Sequence, residues 1–207
     1  MKKIFSVIAA LIVAATAFSQ TAEEIVSRME KELDKHEKDG VHMITDVKMP
    51  VVGTLSTKTY TLGDKMRMDT KTMGVEVIVW MDNESEWTYN SKNNEVEIKK
   101  AKPTSKAETE GDMDMFEGLT DGYNVTIASE TDKSWELLCK KSKANKEKDA
   151  PKKITIVVSK ASFLPLSLNT KMSGITLTMH EIAFGVTEQQ VTFNAADYPN
   201  VTITDKR

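Results

Sequence analysis

Apolar and polar residues alternate along many short segments of this chain, and turn residues separate the segments. A period of two places successive side chains on opposite faces of a β-strand. The pattern predicts strands at about 42–49, 54–62, 65–70, 75–82, 86–90, 94–99, 123–129, 134–141, 153–159, 166–172 and 175–184, with extended pieces near 191–193 and 201–204. So many short strands favour a closed or half-closed sheet, because closure removes exposed edges.

The segment VEVIVWMDNESEWTYN, residues 75–90, predicts a hairpin with apolar side chains on both faces. Val77 and Val79 share one face, whereas Trp80 lies on the other, and Trp87 and Tyr89 continue one of these faces after the turn. One face can pack against a core. The other face needs a helix, a second sheet or a ligand to cover it.

A single long helix is predicted near residue 21. Thr21 and Glu24 form a capping-box pattern, and Asp39-Gly40 ends the segment. A shorter helix is predicted over 112–119 and closed by Gly118. We therefore expect an α+β fold, an incomplete antiparallel β-barrel whose N-terminal helix and short helices cover the concave face.

The first residues are typical of a secretory signal. A basic Met1-Lys2-Lys3 start precedes an apolar run that ends before a small-x-small site at Ala17-Phe18-Ser19. We expect residues 1–19 to be removed, with residues 20–207 forming one periplasmic domain that carries no cysteine for a lipid anchor. Removing Lys2 and Lys3 changes the formal charge from −3 to −5, which argues against a nucleic-acid binder.

Catalysis is not indicated by any motif. His36, His42 and His180 are scattered without ligand spacing, and no nucleophile elbow or phosphate loop is present. Cys139 is the only cysteine, so no intramolecular disulfide can form, and its alternating segment predicts a buried apolar position. We expect a protein that is not an enzyme and that needs no cofactor or metal.

Four stretches in order resemble the LolA-like periplasmic carriers of outer-membrane lipoproteins. They are Lys65-Met66-Arg67-Met68-Asp69, VIVWMDNESEWTYNSKNNEVE, SFLPLSLNT and the terminal VTFNAADYPNVTITDKR. The resemblance covers most of residues 21–207. An arginine-proline pair that precedes the Lys65 strand in better-known members, and whose arginine takes part in lid closure, is replaced here by Leu62-Gly63-Asp64.

The resemblance implies an incomplete barrel with a helical lid whose apolar interior holds the acyl chains of a lipoprotein. It also implies an inner-membrane ATP-driven release complex as donor and an outer-membrane acceptor as partner. We expect a monomer. An alternative is a binding protein for another lipid or hydrophobic ligand on the same fold, and a structural, interaction or Cu(I)-binding protein is a further one.

The methionines bear on the same question, because a flexible, polarizable side chain suits a surface that accepts varied apolar partners. Twelve methionines can equally fill an ordinary core. Thioethers also suit Cu(I), and the pairs that could bind it are Met-x-Met at 66/68 and 113/115, with His42-Met43 and Met179-His180. The predicted ligand-binding residues are Met66, Met68, Val77, Val79, Trp87 and Tyr89 from the sheet and Met113, Met115, Phe116 and Leu119 from the lid.

The lysine-rich stretch at residues 140–153 predicts a solvated hairpin loop, and docking on an anionic membrane surface or an acidic partner is the alternative.

Overall fold

The computed structural model describes residues 20–101, 116 and 118–207. Helix α1, Ala22–Lys35, begins where the sequence predicts. The Thr21 hydroxyl accepts a hydrogen bond from the backbone N–H of Glu24 at 3.2 Å, and the Glu24 carboxylate accepts one from the backbone N–H of Thr21 at 3.1 Å. These two bonds satisfy backbone donors that the helix itself leaves free.

Twelve strands form one sheet in the described part of the chain. They are β1 (Val41–Met49), β2 (Gly53–Leu62), β3 (Lys65–Thr72), β4 (Val75–Met81), β5 (Ser85–Asn90), β6 (Glu95–Lys100), β7 (Tyr123–Glu130), β8 (Ser134–Lys141), β9 (Lys153–Ser159), β10 (Pro165–Met172), β11 (Ile175–Phe184) and β12 (Thr202–Asp205). The predicted strands are confirmed to within two residues at each end, with one exception.

The exception is the extended piece predicted at 191–193. This region instead contains a short helix, α2 (Glu188–Val191), because Thr187 and Gln190 form a second capping box at its start. A 3₁₀ turn at Ala195–Asp197 follows before β12. The alternating pattern is therefore too short there to distinguish a strand from a helical turn.

The strand order is β12-β6-β5-β4-β3-β2-β1-β11-β10-β9-β8-β7, and the two edge strands do not pair with each other. The sheet is thus an incomplete barrel of the α+β class, as predicted. All pairings are antiparallel except that of β12, which runs parallel to β6. This one parallel pair arises because the chain returns to β6 only after crossing over the sheet.

Helix α1 packs on one face of the sheet, which we call the helix face. The apolar residues of α1 are buried together with residues of β1, β8, β9 and β10, among them Val41, Met43, Leu137, Ile156 and Leu168. Complete burial of an aliphatic side chain contributes about 1.5–3 kcal/mol. This cluster is the principal core, and it occupies the half of the sheet between β1 and β7.

The opposite face is covered at the other end of the sheet by residues 186–201, and we call it the aromatic face. Trp80 is only 2% exposed and makes edge contacts with Phe193 at 5.3 Å and Tyr198 at 5.5 Å between ring centroids. Tyr89 packs on Tyr198 at 4.8 Å. The C-terminal segment therefore buries the second apolar face of the 75–90 hairpin.

The predicted helix over 112–119 lies mostly outside the described residues. Gly118 occupies a turn with φ +61°, and Leu119 follows in the same turn. The predicted signal segment 1–19 also lies outside the described residues. No helix in the described ranges is long and apolar enough to cross a membrane.

Candidate functional site

The helix face continues beyond α1 across β2, β3 and β4. Residues directly opposite each other in antiparallel strands share a face of the sheet. Met43, which is buried beneath α1, lies opposite Thr59, and the row continues through Met68 to Val79. A parallel row starts at buried Val41. A third row runs from Thr45 through Thr57 and Thr70 to Val77. We call the continuation of these three rows beyond β1 the open strip. Apart from buried Thr61, its members are half-buried: Thr57, Thr59, Met66, Met68, Thr70, Val77, Val79 and Met81.

The open strip is apolar but only partly covered. Met66, Met68, Val77 and Val79 are each half-buried, and none belongs to the core cluster beneath α1. Val41 and Met43, which begin the rows of Met66 and Met68, are 0% and 4% exposed. One continuous apolar surface thus passes from complete burial under the helix to partial exposure on β3 and β4.

Threonines interrupt this surface without making it strongly polar. The Thr61 hydroxyl donates to the backbone carbonyl of Val41 at 3.2 Å, and the Thr57 and Thr70 hydroxyls bond to each other at 3.1 Å. A hydroxyl that already donates a hydrogen bond within the protein costs less free energy to remove from water when an apolar ligand covers it. These side chains can therefore present methyl groups to a ligand.

Charged groups border the open strip at β5 and β6. Thr88 follows Val79 in its row, and Glu97 follows Thr88. Glu97 pairs with Lys206 and Lys99, and hydrogen bonds from these two ammonium groups lower the pKa of the Glu97 carboxyl. The strip therefore has an apolar centre and an ionic rim, as ligand sites for amphipathic molecules commonly do.

A cleft of about 380 Å³ opens between α1 and β7 on the same face. Burial, together with the charges of Asp121 and Asp34, raises the pKa of the Glu30 carboxyl at this cleft. Its lining residues mix apolar and polar side chains: Glu23, Val26, Ser27, Glu30, Thr120, Tyr123, Asn124 and Val125. The cleft has a more polar wall than the open strip and lies at the opposite end of the sheet.

The structure brings together four of the six predicted sheet residues. Met66, Met68, Val77 and Val79 all lie on the open strip. Trp87 and Tyr89 lie on the aromatic face, where they pack against Phe193 and Tyr198. These two residues cannot line the same cavity as the other four, because alternate positions of β4 and β5 face opposite sides of the sheet.

The two predicted lid residues that the structure describes, Phe116 and Leu119, do not join the open strip. Phe116 is 1% exposed and belongs to the core cluster beneath α1, and Leu119 packs against the same cluster. Met113 and Met115 lie outside the described residues. Burial of Phe116 in the core differs from the expectation that it forms an exposed apolar lid.

Sequence reasoning missed several residues of the two faces. Met81 lies opposite Met66 and completes the methionine group on the open strip. Hairpin register could have located it, since the two-residue turn after β3 fixes which residues of β4 lie opposite β3. Phe193 and Tyr198 carried no comparable signal, because their segment has no regular period.

The side chains that could take part in catalysis, Cys139, His36 and His180, are either buried or hydrogen-bonded to a carboxylate, and they lie at different places. Burial raises the pKa of the Cys139 thiol to about 11, and the side chain is 0% exposed. The prediction of a buried apolar position for Cys139 is confirmed. His36 bonds to Asp39 at 2.7 Å and His180 to Asp46 at 3.1 Å, at different places on the sheet. The described residues contain no group of three or more His, Cys, Asp or Glu side chains that could hold a metal ion.

Two sequence pairs suggested for Cu(I) are split by the strand geometry. His42 packs on Tyr60 at the aromatic face, whereas Met43 is buried beneath α1. Met179 packs against the same core, whereas His180 reaches Asp46 on the other face. Neither pair can supply two ligands to one ion, since consecutive strand residues point in opposite directions.

No protein-family model matches the sequence, and no curated protein matches it. Solved structures to which the chain is similar include an uncharacterized conserved protein from Thermus thermophilus, which is 15% identical with a TM-score of 0.44, over 89% of this chain and 99% of that chain. A chain of the MucA/MucB complex of Pseudomonas aeruginosa is 10% identical with a TM-score of 0.46, over 84% of this chain and 61% of that chain. A LolA superfamily protein from Nitrosomonas europaea is 8% identical with a TM-score of 0.34, over 86% of this chain and 100% of that chain.

Proposed function

We propose that this protein is a periplasmic carrier that binds acyl chains without chemistry and holds them on the open strip and beneath the adjoining edge of α1. The observation that carries the proposal is the continuity of one apolar surface from the buried Met43 to the half-buried Met68 and Val79. A contiguous apolar surface that is left partly exposed marks a ligand-binding or interaction site.

The side chains suit an extended flexible guest. Methionine adapts its shape to varied apolar partners, and three methionines, Met66, Met68 and Met81, lie together here. Each CH₂ group that leaves water contributes about 0.8 kcal/mol, so part of one acyl chain is enough for useful affinity. The bordering Glu97, Lys99 and Lys206 can remain in water beside a polar headgroup.

The cargo that we propose is the acylated end of a lipoprotein, received at one membrane and delivered to another. The sequence resemblance to LolA-like carriers supports this cargo, together with the predicted signal segment at residues 1–19. Binding on a partly open surface allows release to an acceptor of higher affinity without a covalent step. Another lipid bound by the same surface would keep the mechanism and change the cargo.

A pair of matched substitutions tests the proposal. Met68→Asn places an amide on the open strip, whereas Met73→Asn makes the same change in the β3–β4 turn, where the side chain is fully exposed. Titration with a fluorescent fatty acid should give a dissociation constant at least about tenfold larger for Met68→Asn, because burying an amide without a hydrogen-bond partner under an acyl chain costs free energy. The Met73→Asn protein should bind like the unmodified chain. Equal affinity for all three proteins would refute binding on the open strip.

A further inference from the structure

Three neighbouring hairpin turns expose apolar side chains at one end of the strands, on one edge of the molecule. The β1–β2, β3–β4 and β10–β11 hairpins are neighbours in the strand order, and their turns lie at the same end. Of the seven large apolar side chains that are exposed in the described structure, five lie in these turns or directly beside them. They are Val51 (95% exposed), Val52 (78%), Met73 (101%), Met172 (47%) and Ile175 (40%), and we call them the apolar tips.

Folding does not require these side chains. Met73-Gly74 and Ser173-Gly174 both place two successive residues at positive φ, with Met73 and Ser173 at 49°. Asparagine followed by glycine is preferred in such hairpin turns, and methionine has no advantage there. A methionine that packs against nothing in the described structure and occupies an unfavourable backbone region indicates a role outside the fold.

Three lysines lie next to the apolar tips, in the strands that lead into these turns. Lys48, Lys71 and Lys171 are exposed near the ends of β1, β3 and β10, and none forms an ion pair with a described residue. All three lie on the aromatic face, since Lys48 and Lys171 both pair with Thr176 and Lys71 follows Asp69 and Arg67 at alternate positions. Glu76 lies opposite Lys71 and is the acidic residue nearest to the row in register.

The neighbouring β8–β9 loop extends this positive charge. It lies at the same end of the sheet, and residues 140–153 contain seven lysines and two acidic residues. The turns at the opposite end differ, because they contain four acidic residues, Asp64, Asp82, Glu84 and Asp132, against the two lysines Lys133 and Lys160, and they expose none of the apolar tips. Apolar and basic residues are therefore concentrated at one edge of the molecule.

We propose that this edge docks on the surface of an anionic lipid bilayer, with the apolar tips inserted at the headgroup level and the lysines bound to headgroup phosphates. Strands lie about 4.8 Å apart, so the tips span about 24 Å, enough for simultaneous contact with a flat surface. Apolar insertion combined with basic attraction is the usual basis of reversible interfacial binding. The docking edge is separate from the open strip, and the two can fail independently.

Vesicle flotation of the exported chain, with its mass measured to define the N-terminus, tests the docking edge. Vesicles of phosphatidylglycerol with phosphatidylcholine should bind the protein, and vesicles of phosphatidylcholine alone should bind it far more weakly. The combined variant Val51→Ser, Val52→Ser, Met73→Asn should lose at least about tenfold in partitioning. Its fold is expected to survive, because serine and asparagine suit turns, and an unchanged melting temperature verifies this.

A charge-matched pair of variants separates specific docking from net charge. Near an anionic surface each lysine contributes about fivefold to partitioning, so Lys48→Gln, Lys71→Gln, Lys171→Gln together should cost on the order of a hundredfold. Lys31→Gln, Lys38→Gln, Lys133→Gln makes the same change of net charge away from the edge and should cost far less.

Equal losses for the two lysine variants, or full vesicle binding by the tip variant, would overturn the proposal. Absence of vesicle binding together with tip-dependent self-association in sedimentation would also overturn it and would assign the edge to a second copy of the chain. A protein that takes up a fluorescent fatty acid but ignores anionic vesicles would refute docking alone.

Discussion

Met68 on β3 and Val79 on β4 lie directly opposite each other, in the same row as Met43, which α1 buries. This row shows how one sheet serves two purposes. Its β1 end forms part of the principal core, and its β3–β4 end forms an apolar surface that is only half-buried. The proposed acyl-chain site depends on this change of cover along the row.

Phe116→Ala should reduce stability more than it reduces ligand binding, because Phe116 lies within the core cluster beneath α1. Truncation of a buried phenylalanine typically costs about 3–5 kcal/mol of unfolding free energy. Denaturant unfolding measures this cost, and fatty-acid titration below the unfolding transition measures binding. Strong loss of binding with an unchanged unfolding free energy would place Phe116 at the ligand instead.

Gly40→Ala should destabilise the protein more than Gly63→Ala. Both glycines have similar positive φ values, +65° and +60°, so the backbone strain of the two substitutions is comparable. A Cβ atom at Gly40 would lie 2.4 Å from the carbonyl oxygen of Thr61, whereas one at Gly63 meets nothing within 4 Å. The difference between the two unfolding free energies isolates the clash, and equal values would show that the junction of α1 and β1 adapts without cost.

Cys139 should resist a thiol reagent in the folded protein and react after denaturation. Burial raises the pKa of its thiol from 9.0 to about 11, so the reactive thiolate is rare at neutral pH. The unfolded chain releases this proton at lower pH than the folded chain. The stability linked to the neutral thiol is therefore complete below pH 9 and is lost as the pH rises towards 11.

A Cys139→Ala control should remove that part of the alkaline destabilisation. Denaturant unfolding at several pH values measures the difference between the two proteins. Rapid labelling of folded Cys139 at neutral pH would contradict its place in the core.

Phe193→Ala should loosen the C-terminal segment without weakening fatty-acid binding. Phe193 contacts Trp80 at 5.3 Å and Trp87 at 6.4 Å on the aromatic face, away from the open strip. Loss of these ring contacts should cost about 2 kcal/mol and should expose residues 186–201 to limited proteolysis. Reduced fatty-acid affinity at unchanged stability would mean that the aromatic face also takes part in binding.

Sequence alternation is sufficient to locate the strands, because a period of two reports directly on a half-buried sheet. The capping box at Thr21 and Glu24 likewise locates the start of α1. Alternation cannot say which apolar face receives α1, since both faces of the 75–90 hairpin are apolar. For this reason the predicted set of ligand-binding residues draws on both faces, with Met66 and Met68 on one and Trp87 and Tyr89 on the other.

The packing of residues 186–201 on the aromatic face could not be predicted from the sequence, for a different reason. Phe193 and Tyr198 lie in a segment of short turns whose direction depends on contacts with Trp80 and Tyr89 rather than on local propensity. Such long-range contacts leave no periodic trace. The sequence alone also does not show that Met73 and Val51 are neighbours, because this follows only from the strand order, which places their hairpins side by side.

Native mass spectrometry of the exported protein, combined with extraction and identification of its bound lipid, tests the central proposal most directly. The proposal predicts a complex with an acylated molecule, a triacylated lipoprotein for the proposed cargo, and loss of that molecule in Met68→Asn but not in Met73→Asn. A protein that is isolated empty and also fails to take up a fluorescent fatty acid would contradict it, and the open strip would then be an incompletely covered part of the core.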